Sequence, residues 1–310
     1  MRHALASSLV APLAEAAANV AWRQWAELGT MASHTRRAQS VVDPEALVLL
    51  SLTLMDRERR LGDTLLQWVT EGGVHFLSVQ RMRNMMIHYP EWTRPALAAF
   101  AAAAHQAGDS RWKGRFFGAP HGTIGSRRKV ADLNLDLVSD PTLMLRLRRA
   151  LGIGIRSDIF AYLLGVRGTH VTNRVLSHYV HYTPLATKRA ADELAAARLI
   201  EATTSDHPRT YGAKNLHDWV RALELVGDAP PRWRYWHEVF TFVGALLAWE
   251  RASAGRTMTP FAAGTLVSEI LEQHREAFGR NGLPVDFRPK NTAPGEGAAQ
   301  HLRTMAGWMT

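Results

Sequence analysis

Hydrophobic residues recur every three to four positions along most of the 310-residue chain, and strictly alternating stretches are few. This spacing gathers apolar side chains on one face of a helix, so it predicts a mainly α protein with few, short strands. Outside the central third, the predicted helices cover residues 4–27, 44–55, 60–71, 78–87, 96–107, 214–226, 233–252 and 260–279. A stretch rich in Gly and Pro at 281–297 is expected to be largely irregular.

Four helix starts are marked by a capping residue followed directly by proline. The Asp or Thr side chain accepts a hydrogen bond from a free N–H of the first turn, and proline at the first helical position loses no bond. The four pairs are Asp43-Pro44, Asp140-Pro141, Thr183-Pro184 and Thr259-Pro260.

The central segment, residues 154–215, carries an ordered series of short elements. Apolar spacing predicts helices over 156–164 and 172–180, and a third helix that Thr183 caps and that runs to about Ala197. A strand at 199–202, a hairpin tip at 205–209 and a returning strand at 210–211 follow. The predicted inward residues are Ile159, Phe160, Leu163 and Leu164 on the first helix, Val171, Val175, Leu176 and Tyr179 by the second, and Thr187, Ala191 and Leu194 on the third.

Residues 184–203, PLATKRAADELAAARLIEAT, resemble the recognition helix and first wing strand of bacterial winged helix-turn-helix transcriptional regulators of the MarR- and ArsR-like kind. The likeness extends over about a fifth of the chain. Arg198 stands where such regulators usually place a glycine before the Leu-Ile pair, so a turn other than the left-handed helix cap is expected there.

Together these patterns predict a mainly α fold with a helical N-terminal domain, a central winged helix-turn-helix with a short β-hairpin wing, and C-terminal helices. The predicted division is a helical domain at 1–107, a basic linker at 108–141, the DNA-binding domain at 142–215 and a C-terminal helical region at 216–310 that serves for dimerisation.

The resemblance implies that the third central helix presents its first residues to base edges in the DNA major groove. Arg189 is expected to be a better base reader than Lys188, because its planar guanidinium can engage guanine through two hydrogen bonds. The candidate DNA contacts are Thr183, Leu185, Lys188, Arg189, Arg174, Arg209, Arg127, Arg128 and Lys129. The alternative is that these cations form an ordinary solvated surface.

Charge favours a polyanionic partner. The chain has 37 Lys and Arg against 28 Asp and Glu, a formal net charge of +9. Residues 111–156 alone hold ten basic and three acidic side chains, and Arg146, Arg148 and Arg149 are among the candidates for nonspecific phosphate contacts. The segment Arg111–Lys129 is expected either to be mobile or to lie along phosphate.

The absence of cysteine excludes disulfides, thiolate catalysis and cysteine zinc sites, and is typical of a reducing cytoplasm.

Arg2 and the run ALASSLVAPLAEA have the outline of a signal peptide, but helical spacing continues beyond them and favours an amphipathic helix. The late apolar run at 239–249 has about half of the ~20 residues that a membrane span requires.

No constellation typical of an enzyme is present, so the chain is predicted to be neither an enzyme nor a cofactor or metal protein. His178 and His181 lack a nearby third ligand, and His237-Glu238 lacks the second histidine of HExxH because Thr241 stands there. Gly125-Ser126 followed by Asp132 and Asp136 has the wrong spacing for a nucleotidyltransferase.

Two hypotheses for function follow. The first is a cytoplasmic transcriptional regulator that binds double-stranded DNA as a homodimer and responds to an unknown effector, with the aromatic band at 233–249 serving either as core or as the dimer surface. The second is a non-catalytic interaction protein whose winged helix binds a protein partner, for example in a toxin–antitoxin or defence system.

Overall fold

The computed structural model describes residues 4–30, 38–119, 124, 137–203, 208–283 and 294–310. The N-terminal third consists of five helices: α1 (Ala4–Glu27), α2 (Pro44–Leu54), α3 (Arg59–Thr70), α4 (Val79–Met86) and α5 (Thr93–Gln106). Each lies where the apolar spacing predicts a helix. A short 3-10 turn, Gly73–Phe76, connects α3 to α4.

Helix α2 is the centre of this part of the fold. Apart from Glu45, Ser51 and Thr53, its sequence PEALVLLSLTL is apolar, and all eleven residues are buried. A helix without a polar face is stable only when neighbours cover every side, and α1, α3, α4 and α5 all pack on it. The side chain of Asp43 caps α2 by accepting from Ala46 N at 3.1 Å, as predicted.

The segment after α5 differs from the expectation of a mobile basic linker as far as it is described. Trp112 is fully buried, and its ring meets Phe100 and Phe117 with centroids 5.3 and 5.4 Å apart. Arg111 forms an ion pair with Asp109 at 2.5 Å and donates to Leu77 O at 3.2 Å. The aromatic residues between the cations therefore anchor residues 109–117 to the helical core.

The central part contains four helices and three strands. They are α6 (Leu143–Leu151), α7 (Ile155–Gly165), β1 (Val171–Thr172), α8 (Asn173–Val180), α9 (Pro184–Ala196), β2 (Ile200–Ala202) and β3 (Thr210–Ala213). The strands form an antiparallel sheet in the order β1-β3-β2, with Val171 opposite Tyr211 and Ile200 opposite Ala213. Strand β1 is two residues long and has no periodic signal in the sequence, so it escaped prediction.

Asp140 does not cap a helix through its side chain, in contrast to the prediction. Residues Asp140–Thr142 form a 3-10 turn ahead of α6. Ser139, which precedes this turn, makes no capping hydrogen bond through its side chain. The carboxylate of Asp140 instead accepts from Val226 N at 2.9 Å and Gly227 N at 3.1 Å. It thus holds a distant loop rather than the local helix start.

The C-terminal part contains α10 (Leu216–Ala222), α11 (Trp236–Ala252), α12 (Pro260–Gln273), α13 (Arg275–Arg280) and α14 (Pro294–Met309). Helix α14 begins inside the stretch expected to be irregular, and residues 284–293 of that stretch lie outside the described residues. Helix α11 packs on α1 and α2, while α14 packs on α1 and α12. The first and last helices therefore share one hydrophobic core.

The aromatic band of α11 lies in this core. Trp236, Phe240 and Phe242 are buried, and Trp233, Tyr235 and Trp249 pack partly buried against them. A face already covered within one chain is not available to a second copy, so of the two predicted roles of this band the burial supports the core.

The mainly α fold with a short β-hairpin is confirmed. In the described ranges, no helix combines the length and the apolar character that crossing a membrane requires.

Candidate nucleic-acid interface

Helix α9 has one buried face and one exposed face. Thr187, Ala191 and Leu194 are buried, as the spacing predicted, and Ala190 joins them. They pack α9 on α7 and α8. Thr183 caps the helix by accepting from Ala186 N at 3.4 Å, so its hydroxyl is already engaged in holding the first turn.

The exposed face carries the predicted contact residues. Leu185 is 61% exposed, and Lys188 and Arg189 are exposed one turn later. Lys188 Nζ donates to Asp192 Oδ2 at 2.6 Å. Arg189 makes no hydrogen bond or ion pair with any described residue. On this face of α9, no described residue therefore occupies the N–H donors of its guanidinium.

Asp192 connects α9 to the hairpin. Its Oδ1 accepts from Tyr211 Oη on β3 at 2.8 Å, and Arg209 lies 3.1 Å from the same oxygen. Burial raises the pKa of Asp192, but the hydrogen bonds from Lys188 and Tyr211 and the charge of Arg209 outweigh it and lower the pKa below the ordinary value. The carboxylate is thus an anion that balances two of the predicted DNA-binding cations.

Arg174 lies near the exposed face at the first turn of α8. Asn173 Nδ2 donates to Pro184 O at 3.0 Å, which joins the start of α8 to the start of α9. Arg174 is exposed beside this contact. Val175, expected to point inward, is 37% exposed on the same turn, whereas Leu176 and Tyr179 are buried as predicted.

The turn after α9 keeps the left-handed cap without a glycine, contrary to the expectation of another turn. Arg198 has φ 61°. Leu199 N donates to Leu194 O at 3.0 Å and Arg198 N to Ala195 O at 3.0 Å, the bond pattern of a left-handed helix end. A non-glycine residue in this conformation costs about 1–2 kcal/mol.

A buried cluster of five charged side chains lies behind the interface, and the sequence analysis missed it. Arg81 on α4 contacts Asp43 and Glu45, each at 2.5 Å. Arg148 on α6 contacts Glu45 at 2.7 Å and Asp158 on α7 at 2.8 Å. All five are buried, so Arg148 cannot reach phosphate as predicted.

The two other arginines predicted to contact phosphate near Arg148 differ from it. Arg146 donates to Leu223 O, while Arg149 is exposed.

This cluster also fixes the turn between α8 and α9. Tyr182 in the turn donates to Asp158 Oδ2 at 2.9 Å, and the Ser78 hydroxyl lies 2.9 Å from Tyr182 Oη. Arg81 Nε donates to Val180 O at 3.2 Å, and Asn84 donates to His181 O at 2.7 Å. The N-terminal helices therefore hold the turn that sets the angle between α8 and α9.

Four histidines gather on the other side of the turn. His237 on α11 lies with its ring centroid 4.3 Å from that of His181 and 5.5 Å from that of His88, and His178 lies 6.5 Å from His181. Burial, followed by the charges of His88, Arg81 and His178 and opposed by Asp43, lowers the pKa of His237 to about 3. Burial and the neighbouring His237 lower the pKa of His181 well below its ordinary value.

These histidines pack against one another through their rings. Among the residues that the structure describes, no group of three His, Asp or Glu side chains has the arrangement to hold a metal ion. His178 faces Glu238 Oε1 at 3.3 Å, and the same oxygen accepts from Arg280 at 2.7 Å.

Part of the predicted site falls on residues that the structure does not describe. Arg127, Arg128 and Lys129 lie outside the described residues, as do the Gly125-Ser126 pair, Asp132, Asp136 and the first three residues, 205–207, of the predicted hairpin tip. The structure brings together Thr183, Leu185, Lys188, Arg189, Arg174 and Arg209 around the start of α9 and the hairpin.

Comparisons of the chain with protein-family models, with curated proteins and with solved structures found no significant match.

Proposed function

We propose that this protein is a sequence-specific transcriptional regulator that binds double-stranded DNA through a winged helix-turn-helix formed by α7 to β3. The observation that carries the proposal is the exposed first half of α9, with Arg189 unpaired among the described residues, on a base of two packed helices.

The order of the elements supports this proposal. A helix, a short strand, two helices and a hairpin follow one another, and the first strand pairs with the last. A helix-turn-helix places its second helix in the major groove while the first crosses the backbone. Here α8 and α9 would take those two places, and the β2–β3 hairpin would be the wing.

The chemistry of the exposed face fits base readout with few phosphate contacts. Arg189 has its donors available for the two acceptors of guanine, and the apolar side chain of Leu185 suits a thymine methyl group. Arg174 stands where a phosphate contact would position α8.

The test is binding of the full chain to duplex DNA. A preferred duplex is first selected from a randomised library, and its affinity is then measured by fluorescence anisotropy at salt concentrations between about 50 and 300 mM. Arg189→Ala should weaken the preferred duplex by roughly 1–3 kcal/mol and relax the preference at one base pair.

Arg303→Ala, which removes an exposed arginine from α14, is the matched control and should leave the affinity unchanged. No selected sequence, or equal losses for both variants on every duplex, would overturn the proposal.

The second candidate function is binding of a protein partner by the same surface. It is favoured by Leu185, which is largely exposed, and by Asp192, which balances the charges of Lys188 and Arg209. Such a surface would give little DNA affinity at ~150 mM salt. The homodimer stays a prediction without an assigned surface, and sedimentation at micromolar concentration tests it.

A further inference from the structure

A cavity of about 420 Å³ lies between α1, the end of α14 and the residues that lead into α11. Its walls include Gln24, Ser40, Arg234, Trp236 and Trp308. None of the lining residues belongs to α7–β3, so the cavity is separate from the proposed DNA surface. Its volume lies in the range of sites that bind small organic molecules, about 300–1,000 Å³.

Arg234 is the first unusual feature of this cavity. Its guanidinium lies over Trp308, 4.7 Å from the ring centroid, and 5.7 Å from that of Trp236. Burial and the nearby charge of Arg232 lower the pKa of Arg234. Within the described part of the chain Arg234 has no carboxylate partner, and no Asp or Glu lines the cavity. A half-buried cation without a counter-ion is unfavourable unless an anion reaches it.

Gln24 is the second unusual feature. Its side chain is 1% exposed, and neither its amide oxygen nor its amide nitrogen has a hydrogen-bond partner among the described residues. Leaving a buried amide unsatisfied costs about 1–3 kcal/mol per group, which an apolar residue would avoid. A glutamine at this position of α1 is therefore explained best by a polar group that enters the cavity.

The aromatic walls define the rest of the ligand. Trp236 Nε1 donates to Ser40 Oγ at 2.9 Å, so this indole is held in place by its edge. Trp236 and Trp308 lie with ring centroids 5.8 Å apart. Both indoles line the cavity and give it apolar walls, and the guanidinium that lies over Trp308 keeps its in-plane N–H donors for an acceptor.

From this geometry we infer that the cavity binds a small planar organic anion, an aromatic carboxylate whose charged group meets Arg234 and whose second polar group meets Gln24. The inference does not depend on DNA binding, because it rests only on residues of α1, α14, the approach to and start of α11, and Ser40 ahead of α2.

The probe is 4-carbamoylbenzoate, which joins a carboxylate and an amide across one ring. Titration calorimetry with the full chain should give saturable one-to-one binding with a Kd below about 1 mM. The neutral terephthalamide, equal in shape but without charge, should bind at least tenfold more weakly. Equal binding of the two compounds, or no binding of the carboxylate at about 10 mM, would overturn the inference.

Two variants identify the contacts. Arg234→Gln should weaken 4-carbamoylbenzoate at least tenfold, whereas Arg232→Gln, a charge-matched control at an exposed neighbour, should change it less than threefold. Gln24→Leu should weaken 4-carbamoylbenzoate but not benzoate, which has no amide.

Circular dichroism establishes that each variant is folded. Should Arg234→Gln fail to fold, the comparison of the charged and neutral compounds on the unchanged protein still decides the matter. Affinities that are the same for Arg234→Gln and Arg232→Gln would contradict the site.

Discussion

Tyr211 on β3 donates its hydroxyl hydrogen to Oδ1 of Asp192 on α9, across 2.8 Å. The bond joins the hairpin to the helix that carries the candidate DNA contacts, and the same carboxylate holds Lys188 and Arg209. One carboxylate thus partly offsets the charges of two exposed cations that would favour DNA, and the hydrogen bond keeps the hairpin against the helix.

Replacing Asp192 with Asn is expected to tighten DNA binding several-fold. The amide oxygen can still accept from Tyr211, while Lys188 and Arg209 lose their counter-ion and become available to phosphates. Each additional phosphate that these cations bind should steepen the dependence of log affinity on log salt by about 0.9. Anisotropy titrations over a salt series measure both quantities.

Glu193→Gln is the control for this prediction, since it makes the same change in net charge one residue away and releases only Arg156. Equal effects of the two variants would mean that net charge, rather than release of the two cations, governs affinity.

Replacing Arg148 with Met should destabilise the fold by roughly 3–5 kcal/mol, because the buried carboxylate of Asp158 would lose its ion-pair partner and that of Glu45 would keep only Arg81. Denaturation in urea at neutral pH measures the loss. Arg149→Met, at the exposed neighbouring position, should stay within about 0.5 kcal/mol of the parent protein. A comparable small loss for Arg148→Met would show that the buried ion pairs contribute little.

His237 should make the protein sensitive to acid. Its pKa in the folded chain is about 3, against an ordinary value of 6.5, so the folded state resists a proton that the unfolded state accepts. Its contribution to stability is complete above pH 6.5 and is lost as pH falls from 6.5 towards 3. The expected slope is about 1.4 kcal/mol per pH unit for one histidine.

His237→Gln should flatten this part of the profile of unfolding free energy against pH, which urea titrations between about pH 4 and 7 measure. His217→Gln, at an exposed position of α10, serves as the control and should leave the slope as it is. If the slope persists in His237→Gln, other groups are responsible for the acid sensitivity.

Replacing Arg198 with Gly should stabilise the protein by about 1 kcal/mol, since glycine adopts the left-handed conformation found there without a steric penalty. Ala196→Gly, in the last turn of α9, should have the opposite sign because glycine weakens a helix by about 0.5–1 kcal/mol. Urea denaturation compares the two, and a loss of stability in Arg198→Gly would indicate that the arginine side chain itself holds the turn.

What the sequence alone determined about this protein is its local structure. The Thr183-Pro184 cap and the spacing of Thr187, Ala191 and Leu194 lie within one segment, and both hold in the structure because they depend on bonds and faces of a single helix. Helix α7 and the strands β2 and β3 follow from similarly local signals.

The tertiary structure alone decided which charged and aromatic residues are buried. Arg148 reads as a surface cation in sequence, and only its meeting with Glu45, 103 residues away, makes it a core residue. The band at 233–249 has the same periodicity whether it meets a second copy or the chain's own first helices, and strand β1 exists only because β3 pairs with it. Periodicity assigns a residue to a face of its element, but the identity of what covers that face is a long-range property that no local pattern contains.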